Sequence, residues 1–569
     1  MAAIQTTPET HDVVVIGSGA GGGTVAHVLT ALGVRVTLLE AGPMLDPYRE
    51  FKEHLWPYEV DHRGAEEGGK QYFGRGKHGG YFSTTSGGWE LDGEPYTVGD
   101  GSQFRWFRSR IVGGRTNHYG RMSFRFSDYD FHPYDRDGLG TNWPISYDDI
   151  APYYDKAETL IGVTGSREGI RSAPDGVFQD PPPPKAHELL VKAASERLGI
   201  ACIPNRRAVL TRSVNGRPAC HYCGQCNRGC VTASNYSSSQ VQIFPALETG
   251  RLRIIDLAMA REIVTDGRGT VTEIIYIDKR TRQEARLRCR VLVLAASACE
   301  SARILLNSKT SEFPNGVANS SGVVGRFLMD TVGFGLSARV PSLEGLPRYN
   351  SDGAGGAHLY MPWWGWERQQ ALGFPRGYHI EIGGGYRMPG IGSFGRVARE
   401  SGYGVGLKAQ ARRDYGTSIS MQGRGEMIPN NFSYCEIDPT TVDQWGIPVL
   451  RFHFKWSDYE IDQARHMEET FRAIFDTMGG LVRGRSARDA SGISVPGSII
   501  HEVGAVRMGT DPRTSALNGF CQTHDVDNLF VCDGGSFVSN PDKNPTLTIN
   551  ALAWRASEYM AEEMRAGNL

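Results

Sequence analysis

The feature that most constrains this chain is a glycine-rich turn between two apolar runs near its start. Residues 12–16 (DVVVI) form a β-branched run that predicts a buried parallel strand. The turn over 17–22 (GSGAGG) fits G-x-G-x-x-G, an apolar helix pattern follows over 24–32, and residues 34–39 predict a second strand that ends in Glu40. These features in this order predict a βαβ unit that binds a dinucleotide. The motif by itself does not distinguish FAD from NAD.

Each part of this fingerprint has a physical role in dinucleotide binding. Gly17 permits the tight turn, Gly19 lets the backbone approach the pyrophosphate, and Gly22 lets the helix pack closely on the strand. The helix start offers unpaired N–H groups and a positive dipole end to the phosphates. The Glu40 carboxylate can accept hydrogen bonds from ribose hydroxyls, and its charge argues against NADP. The predicted cofactor contacts here are Gly17, Gly19, Ala20, Gly22, Glu40 and Ala41.

Three distant segments also carry residues typical of a cofactor site. Residues 112–118 read VGGRTNH, and residues 501–509 read HEVGAVRMG. Near the C-terminus, a predicted buried strand over 529–532 leads into Asp533-Gly534, and the run 544–548 (NPTLT) opens a predicted helix that extends to about residue 564. Thr546 lies near that helix start, where free N–H groups are available to a ligand.

Together with the fingerprint, these segments resemble the glucose-methanol-choline (GMC) oxidoreductases in order and spacing, over nearly the whole chain. Within that family the chain is most similar to the branch of pyranose oxidases and glucoside 3-oxidases or 3-dehydrogenases, and the run 141–147 (TNWPISY) followed by Tyr153-Tyr154 supports this placement. The resemblance implies FAD as the cofactor. It also implies an α/β fold with a Rossmann-like FAD-binding domain and a second, sheet-based substrate domain, of the GMC and p-hydroxybenzoate-hydroxylase-like type.

The resemblance further implies that the domains are discontinuous. We expect the FAD-binding domain to comprise residues 1–140, 200–325 and 494–569, and the substrate-binding domain with its connections to comprise residues 141–199 and 326–493. Residues 291–295 predict a strand, and residues 186–198 and 301–307 predict helices. The tryptophans and tyrosine of segment 360–366 (YMPWWGW) would suit the C–H faces of sugar rings if exposed, and core packing is the alternative.

The same resemblance implies that one histidine and one asparagine are the catalytic residues. Oxidation of an alcohol requires that the hydroxyl proton leave while a hydride reaches flavin N5, and a positioned base typically contributes about 10²–10⁴-fold. Histidine suits this role because its unperturbed pKa is about 6.5. His501 is the predicted base, and Asn544 is predicted to hold the substrate oxygen. The alternatives are a core histidine bonded to the backbone and a helix N-cap before Pro545.

The remaining implied cofactor contacts lie in the three distant segments. Gly113 and Gly114 would let the backbone approach the flavin closely. His118 is at the position where pyranose oxidases carry a histidine covalently linked to the flavin, but other relatives have this histidine without the bond, so the linkage stays open. The predicted contacts in these segments are Gly113, Gly114, Thr116, Asn117, His118, Asp533, Gly534, Asn544, Pro545 and Thr546.

A cysteine cluster offers a possible metal site. Cys220-x2-Cys223-x2-Cys226-x3-Cys230 has the spacing of a ferredoxin-type site, and such thiolates could hold an iron–sulfur cluster or zinc. The ferredoxin pattern has proline after its last cysteine, whereas Val231 follows here. Similar segments lie near the flavin in relatives without a known metal role. A loop of reduced cysteines packed near the cofactor is therefore the alternative.

The net charge, the N-terminal residues and the lengths of the apolar runs predict which partners and which compartment to expect. The net charge of -2 gives no electrostatic reason to expect a nucleic-acid partner. Residues 1–11 are polar and lack the basic and apolar regions of a secretory signal. No run of about 18 apolar residues predicts a membrane-spanning helix. We therefore expect a cytoplasmic protein without a membrane span.

The sequence thus predicts an FAD-dependent enzyme that oxidises a secondary ring hydroxyl of a sugar or glycoside, at C3 or C2, to a ketone. Oxygen or another electron acceptor would complete the cycle. Three alternatives stay open: a dehydrogenase that passes electrons to a quinone or a protein, a flavin-retaining lyase of the same fold, and a binding protein without enzymatic activity.

Overall fold

The computed structural model describes residues 9–51, 53, 59, 89–346, 353–386, 403–483, 487 and 490–569. Residues 1–8, which make up most of the polar N-terminal stretch considered above, lie outside the described residues.

The described secondary structure alternates strands and helices early in the chain and is richer in strands in its middle part. The strands are β1 Thr10–Ile16, β2 Val36–Leu39, β3 Thr97–Val98, β4 Val163–Thr164, β5 Phe178–Gln179, β6 Ile203–Pro204, β7 Leu252–Ile255, β8 Ala258–Thr265, β9 Val271–Asp278, β10 Gln283–Leu294, β11 Val332–Arg339, β12 Leu359–Met361, β13 Tyr378–Gly384, β14 Ser418–Gly425, β15 Tyr434–Val442, β16 Pro448–His453, β17 Leu481–Arg483 and β18 Leu529–Val531. The α-helices are α1 Ala20–Ala31, α2 Pro47–Glu50, α3 Asp128–Phe131, α4 Pro133–Asp137, α5 Tyr147–Ile161, α6 Ala186–Arg197, α7 Phe244–Glu248, α8 Ala298–Asn307, α9 Val405–Asp414, α10 Asp458–Thr477 and α11 Thr546–Ala566.

The predicted βαβ unit is the centre of a mostly parallel sheet. Its described strands run in the order β7-β2-β1-β10, with β18 parallel to the end of β10. Residues 13–15 of β1 are fully buried, which accounts for their uninterrupted apolar character. The glycine-rich turn therefore lies at the carboxyl edge of this sheet, where α/β proteins bind their ligands.

β10 is longer than the sequence predicted. Residues 291–295 match only its buried half, whereas the strand runs from Gln283 to Leu294. Its first half alternates exposed and partly covered side chains and pairs antiparallel with β9, which in turn pairs with β8. An apolar run identifies a buried strand, but charged residues alternate with others in this half-exposed stretch (QEARLRCR), so the apolar criterion missed it.

A second sheet is antiparallel and lies under helix α10. Its described strands run in the order β17-β11-β14-β13-β12-β6. Gly425 of β14 lies so close to α10 that a Cβ atom there would be 1.7 Å from the Gln463 side-chain oxygen. Met467 and Phe471 of α10 are fully buried against this sheet. The pairing of β11, β13 and β14 positions the polar side chains that face the site described below.

These two sheets confirm the predicted fold class of a Rossmann-like unit joined to a sheet-based second unit. The predicted domain boundaries stay a prediction, and three contacts cross them. Helix α5 bonds to α11 through Tyr154 and Thr548, whose hydroxyl oxygens are 2.7 Å apart. Strand β3 pairs with β16, and β6 pairs with β12. Each of these short pairings joins residues that the sequence assigned to different domains.

Candidate active site

A cavity of about 400 Å³ brings the four sequence motifs together. It extends from the glycine-rich turn to the histidine of the HEVGAVRMG segment. The predicted site residues that line it are Gly17, Gly19, Ala20, Glu40, Ala41, Gly114, Thr116, His118, His501, Asp533, Gly534, Asn544, Pro545 and Thr546. Segments more than 500 residues apart in the chain thus share one wall.

Three predicted contacts support the cavity from behind its wall. A Cβ atom at Gly22 would be 1.9 Å from the Gly17 carbonyl oxygen, so this glycine serves helix–strand packing. Gly113 has φ +93° and donates its N–H to the Ser18 hydroxyl at 2.9 Å. The Asn117 amide donates to two carbonyls of its own turn, those of residues 112 and 114, each at 3.0 Å. The Asn117 side chain is therefore used to hold this turn, and its contact with the cofactor stays a prediction.

The nucleotide end of the cavity has the shape and the donor set that a dinucleotide needs. A Cβ atom at Gly19 would meet no atom within 4 Å, so open space lies directly against the backbone. Glu40 accepts the Gly42 N–H at 2.8 Å and also bonds to Ser18. Burial raises the pKa of Glu40, and the bonds from Ser18 and Gly42 oppose this rise. Ribose hydroxyls would add further donors to this carboxylate, so the residues present fit the adenosine end of FAD.

Several wall residues at this end have no signal in any sequence motif. Arg110 pairs with the carboxylates of Glu94, at 2.9 Å, and of Glu300. The alternation of Arg108 and Arg110 along an extended segment is a signal that could have indicated them. The unpredicted lining residues in this region are Phe107, Arg108, Ser109, Arg110, Ala258, Met259, Ala260, Ala296, Ser297, Ala298, Glu300 and Ile304.

The flavin end of the predicted cradle contains His118. Its Nε2 atom lies 2.9 Å from the Ser109 hydroxyl oxygen, and its ring contacts Phe107 edge to face with centroids 5.6 Å apart. The imidazole is nearly fully buried but reaches the cavity wall. This position suits contact with a flavin ring, and the covalent linkage stays open.

At the end of the cavity opposite the glycine-rich turn, His501 lies between two polar side chains. Its Nε2 atom is 3.2 Å from the Asn544 amide nitrogen, and its Nδ1 atom is 3.0 Å from the Thr331 hydroxyl oxygen. An amide nitrogen can only donate, so Nε2 must carry the lone pair and Nδ1 the hydrogen. The tautomer assigned in this way leaves a proton acceptor facing Asn544 and the cavity. Thr331 had no signal in the sequence, because it lies 170 residues from His501.

The surroundings keep His501 uncharged at neutral pH. Burial lowers the pKa of His501 to about 3, with a further contribution from the Arg424 guanidinium, while the Glu381 carboxylate opposes this shift. Glu381 and Arg424 form an ion pair at 3.2 Å on the neighbouring strands β13 and β14. His501 is thus a neutral hydrogen-bond acceptor beside a charged pair, which differs from the alternative of a core histidine bonded to the backbone.

Asn544 does not cap the following helix. The residue at the N-cap of α11 is Pro545, so the expected N-cap role of Asn544 is wrong. Its amide nitrogen faces His501, while its side-chain oxygen is buried and has no hydrogen-bond partner in the part of the chain that the structure describes. A buried amide oxygen without a partner is costly, and a ligand hydroxyl in this cavity would satisfy it.

The tryptophan-rich segment lies outside the cavity wall. Tyr360 and Trp363 are almost fully buried, which matches the alternative of core packing. Trp366 is partly buried and stacks on Tyr129 with ring centroids 4.2 Å apart. None of the described side chains from 360 to 366 lines the cavity, so the expectation of a sugar-binding aromatic face is not supported here.

The cysteine cluster forms an irregular loop next to the cavity. Cys220, Cys223, Cys226 and Cys230 are free of disulfides, and Asn227 from the same loop reaches the cavity wall. Burial raises the pKa of Cys220 to about 11 and that of Cys223 to about 12. Across the described ranges, no three His, Cys, Asp or Glu side chains are placed to hold a metal ion.

Comparisons with known proteins agree with this geometry. Residues 12–332 and 431–553 match two family models, both described as GMC oxidoreductase. The relatives that match over nearly the whole chain are named oxidases and dehydrogenases, so the protein is an oxidoreductase acting on CH–OH groups. The chain belongs to the GMC oxidoreductase family, as its motifs predicted, and the alternative of a binding protein without activity is thereby removed.

Three relatives illustrate the range of this family. The chain is 31% identical to a 2-methyl-1,2-propanediol dehydrogenase of Mycolicibacterium austroafricanum, over 98% of this chain and 96% of that protein. It is 29% identical to a 6'''-hydroxyparomomycin C oxidase of Streptomyces lividus, over 99% of this chain and 93% of that protein. A C-glycoside 3-oxidase of Arthrobacter globiformis is 33% identical over 23% of this chain and 25% of its own length.

None of the helices in the described ranges combines the length and the apolar composition needed to cross a bilayer.

Proposed function

We propose that this protein binds FAD and oxidises a secondary ring hydroxyl of a sugar or glycoside, at C3 or C2, to a ketone. The observation that carries this proposal is the placement of His501 and Asn544 in the same cavity as Gly19 and Glu40. One end of the cavity fits a dinucleotide, and the other offers a proton acceptor beside a hydrogen-bond donor.

The cofactor would be held mainly by the nucleotide end. The Gly19 backbone and the start of α1 would face the pyrophosphate, and Glu40 would accept ribose hydroxyls. His118, Gly114 and Thr116 also line the cavity and would border the flavin ring. Bound FAD would supply the acceptor for the hydride that leaves the alcohol carbon.

The protein's own residues would manage the hydroxyl proton. The substrate O–H would donate to Nε2 of His501 in place of the Asn544 amide, and the amide would then donate to the substrate oxygen instead. As the hydride leaves, His501 would take the proton at Nε2, while Nδ1–H stays bonded to Thr331. Asn544 cannot titrate, so it would hold the oxygen equally well before and after the transfer.

The choice of a sugar-like substrate is supported by the polarity around the base. Glu381 and Arg424 form an ion pair close enough to act on the pKa of His501, so the base lies in polar surroundings. Two of the relatives described above are named for action on an aminoglycoside and on a C-glycoside.

A second candidate differs only in the electron acceptor. The relative with 31% identity is named a dehydrogenase, whereas the two others are named oxidases. A dehydrogenase would carry out the same oxidation of the alcohol and then pass electrons to a quinone or a protein rather than to oxygen.

The test is a panel of free sugars, glycosides and simple alcohols added to the purified protein without oxygen. We expect loss of the oxidised-flavin absorbance with at least one sugar or glycoside and none with short apolar alcohols. Reduction by apolar alcohols alone would contradict the substrate class. Turnover with unchanged flavin absorbance would instead indicate a lyase.

The acceptor is tested by repeating the active combination in air. Stoichiometric hydrogen peroxide would identify an oxidase. Slow peroxide formation together with rapid reoxidation by an added quinone would identify a dehydrogenase.

A further inference from the structure

A short segment before β11 is docked along the segment that carries His501. Met329 and Val503 exchange two backbone hydrogen bonds, at 2.9 and 3.1 Å, in an isolated antiparallel bridge. This pairing places the next two residues, Asp330 and Thr331, against His501. Because the main chain fixes the contact, the two side chains reach the base in a defined register.

Asp330 holds the backbone on both sides of a strained residue. Its two carboxylate oxygens accept the N–H of His501 at 3.0 Å and the N–H of Gly497 at 2.7 Å. Ile500, between these two anchors, has φ +67°, a conformation that is rare for a β-branched residue. Such strain persists only where the surroundings over-determine it, and the fully buried Asp330 supplies that constraint.

Thr331 acts on the ring rather than on the backbone. Its hydroxyl oxygen lies 3.0 Å from Nδ1 of His501 and is placed to accept the Nδ1 hydrogen. The Asn544 amide, which can only donate, requires the lone pair at Nε2, and the Thr331 hydroxyl supplies the acceptor that the Nδ1 hydrogen then needs. Thr331 therefore stabilises the tautomer in which Nε2 is the proton acceptor on the side of the cavity.

The charges around Asp330 add a dependence on pH. Glu502 and Arg115 also face this site, and they pair with each other at 2.5 Å. Burial raises the pKa of Asp330 to about 7, with a further contribution from the Glu502 carboxylate, against the N–H groups of His501, Thr331 and Gly497. No cation bonds to Asp330 directly among the described residues. Once ionised, its carboxylate is the stronger acceptor for the backbone N–H groups of His501 and Gly497.

We propose that Asp330 and Thr331 are positioning residues for the base: Asp330 fixes the backbone of residues 497–501, and Thr331 anchors the His501 ring by accepting the hydrogen of its Nδ1 atom. Neither side chain needs to touch the substrate. The inference rests on the proposed function of His501 as the base, and it adds two residues that act through His501.

The first test compares Thr331→Val with Thr331→Ser, measured as the rate of anaerobic flavin reduction. Valine keeps the shape and removes the acceptor, so we expect a rate about 10–100-fold lower, the effect of leaving one buried donor unpaired. Serine keeps the acceptor and should stay within about threefold of the original rate. The substrate KM should change little in either variant, and bound flavin should be retained in both.

The second test uses Asp330→Asn. An asparagine amide can accept only one of the two backbone N–H groups, because its nitrogen would face the other donor. We expect about a tenfold lower rate. In the original protein the rate should rise with pH through about 7, because the ionised Asp330 accepts the backbone N–H groups of His501 and Gly497 more strongly and so holds the base in place, and this rise should be absent in the variant.

A third measurement needs no substrate. Nitrogen-15 chemical shifts of labelled histidine, with His501 identified by its absence in His501→Gln, should report the Nδ1-protonated tautomer in the original protein and in Thr331→Ser. Thr331→Val should show the other tautomer or a mixture.

Two results would overturn the inference: unchanged kinetics and tautomer in Thr331→Val, or equal impairment of the valine and serine variants, which would indicate packing alone. If none of the tested alcohols reduces the flavin of the original protein, the proposed function fails instead. The tautomer measurement would still decide the role of Thr331.

Discussion

The two ends of the cavity are built in opposite ways. At the nucleotide end, the contacts that the motif predicts come from one continuous stretch of chain, residues 16–41, and apart from the Glu40 carboxylate the decisive atoms belong to the backbone. At the catalytic end, His501 meets Asn544 across 43 residues and Thr331 across 170 residues, and the decisive atoms belong to side chains. The nucleotide end depends on glycines that leave room for the cofactor, and the catalytic end depends on contacts between the side chains around His501.

This difference predicts how each end responds to substitution. Added atoms at the nucleotide end collide with a rigid backbone, so changes there should act on folding and on cofactor affinity. Removed atoms at the catalytic end leave the main chain in place, so changes there should act on rate and on pH dependence. The four predictions below challenge this division, from the largest expected effect to the smallest.

The largest effect is expected at Gly22. Alanine there would place Cβ at 1.9 Å from the Gly17 carbonyl oxygen, and two backbone segments would have to separate. We expect Gly22→Ala to abolish cooperative thermal unfolding and flavin binding. The matched control is Gly19→Ala, whose Cβ would meet no protein atom within 4 Å. It should fold normally and lose FAD affinity only. Normal folding of Gly22→Ala would break the comparison.

The next largest effect is expected at His501. Removal of a positioned base lowers rates by about 10²–10⁴-fold. In His501→Ala, the rate of flavin reduction by the substrate should therefore fall by this factor, while the flavin stays bound. His132, a partly exposed histidine beside Asp128, provides the control His132→Ala, which should leave the rate unchanged. Equal rates in the original protein and His501→Ala would show that the base lies elsewhere.

A smaller effect is expected at Glu40. Glu40→Gln removes the charge that would receive ribose hydroxyls, and a hydrogen bond to a charged group contributes roughly 1.5–3 kcal/mol. The dissociation constant for FAD should therefore rise by about 10–100-fold, as measured by fluorescence on release of the flavin. The rate of flavin reduction by substrate at saturating FAD should not change. The exposed Glu312 gives the control Glu312→Gln, for which no change in affinity is expected.

The smallest effect is a dependence of stability on pH at the catalytic end. The pKa of His501 is lowered to about 3 in the folded protein, against about 6.5 when unfolded. Between these values the unfolded chain binds more protons, so the contribution of His501 to stability rises as pH increases from 3 to 6.5. His501→Gln should therefore be more stable than the original protein by about 1–2 kcal/mol at pH 5, an advantage that disappears at pH 8. If the difference in unfolding free energy between His501→Gln and the original protein were the same at pH 5 and pH 8, the buried, neutral state of His501 would be contradicted.

Much of this molecule was predictable because its signals are local. The βαβ unit, Glu40 and the start of α11 each lie within a few consecutive residues, and apolar runs identify strands that are buried on both faces. Local signals failed where a strand is half exposed, as in the first half of β10, and where an aromatic run can pack in the core or face a ligand, as at Tyr360 and Trp363.

The sequence by itself determined the family, the fold class and the candidate pair His501 and Asn544, because motifs in a fixed order carry that information. Only the tertiary structure decided what surrounds the pair. Thr331, Asp330 and the Glu381–Arg424 ion pair reach His501 through strand pairing between distant segments, and no spacing along the chain encodes such contacts. The same holds for Asn117, whose amide is engaged in holding its own turn, a use that depends on the folded backbone rather than on the motif.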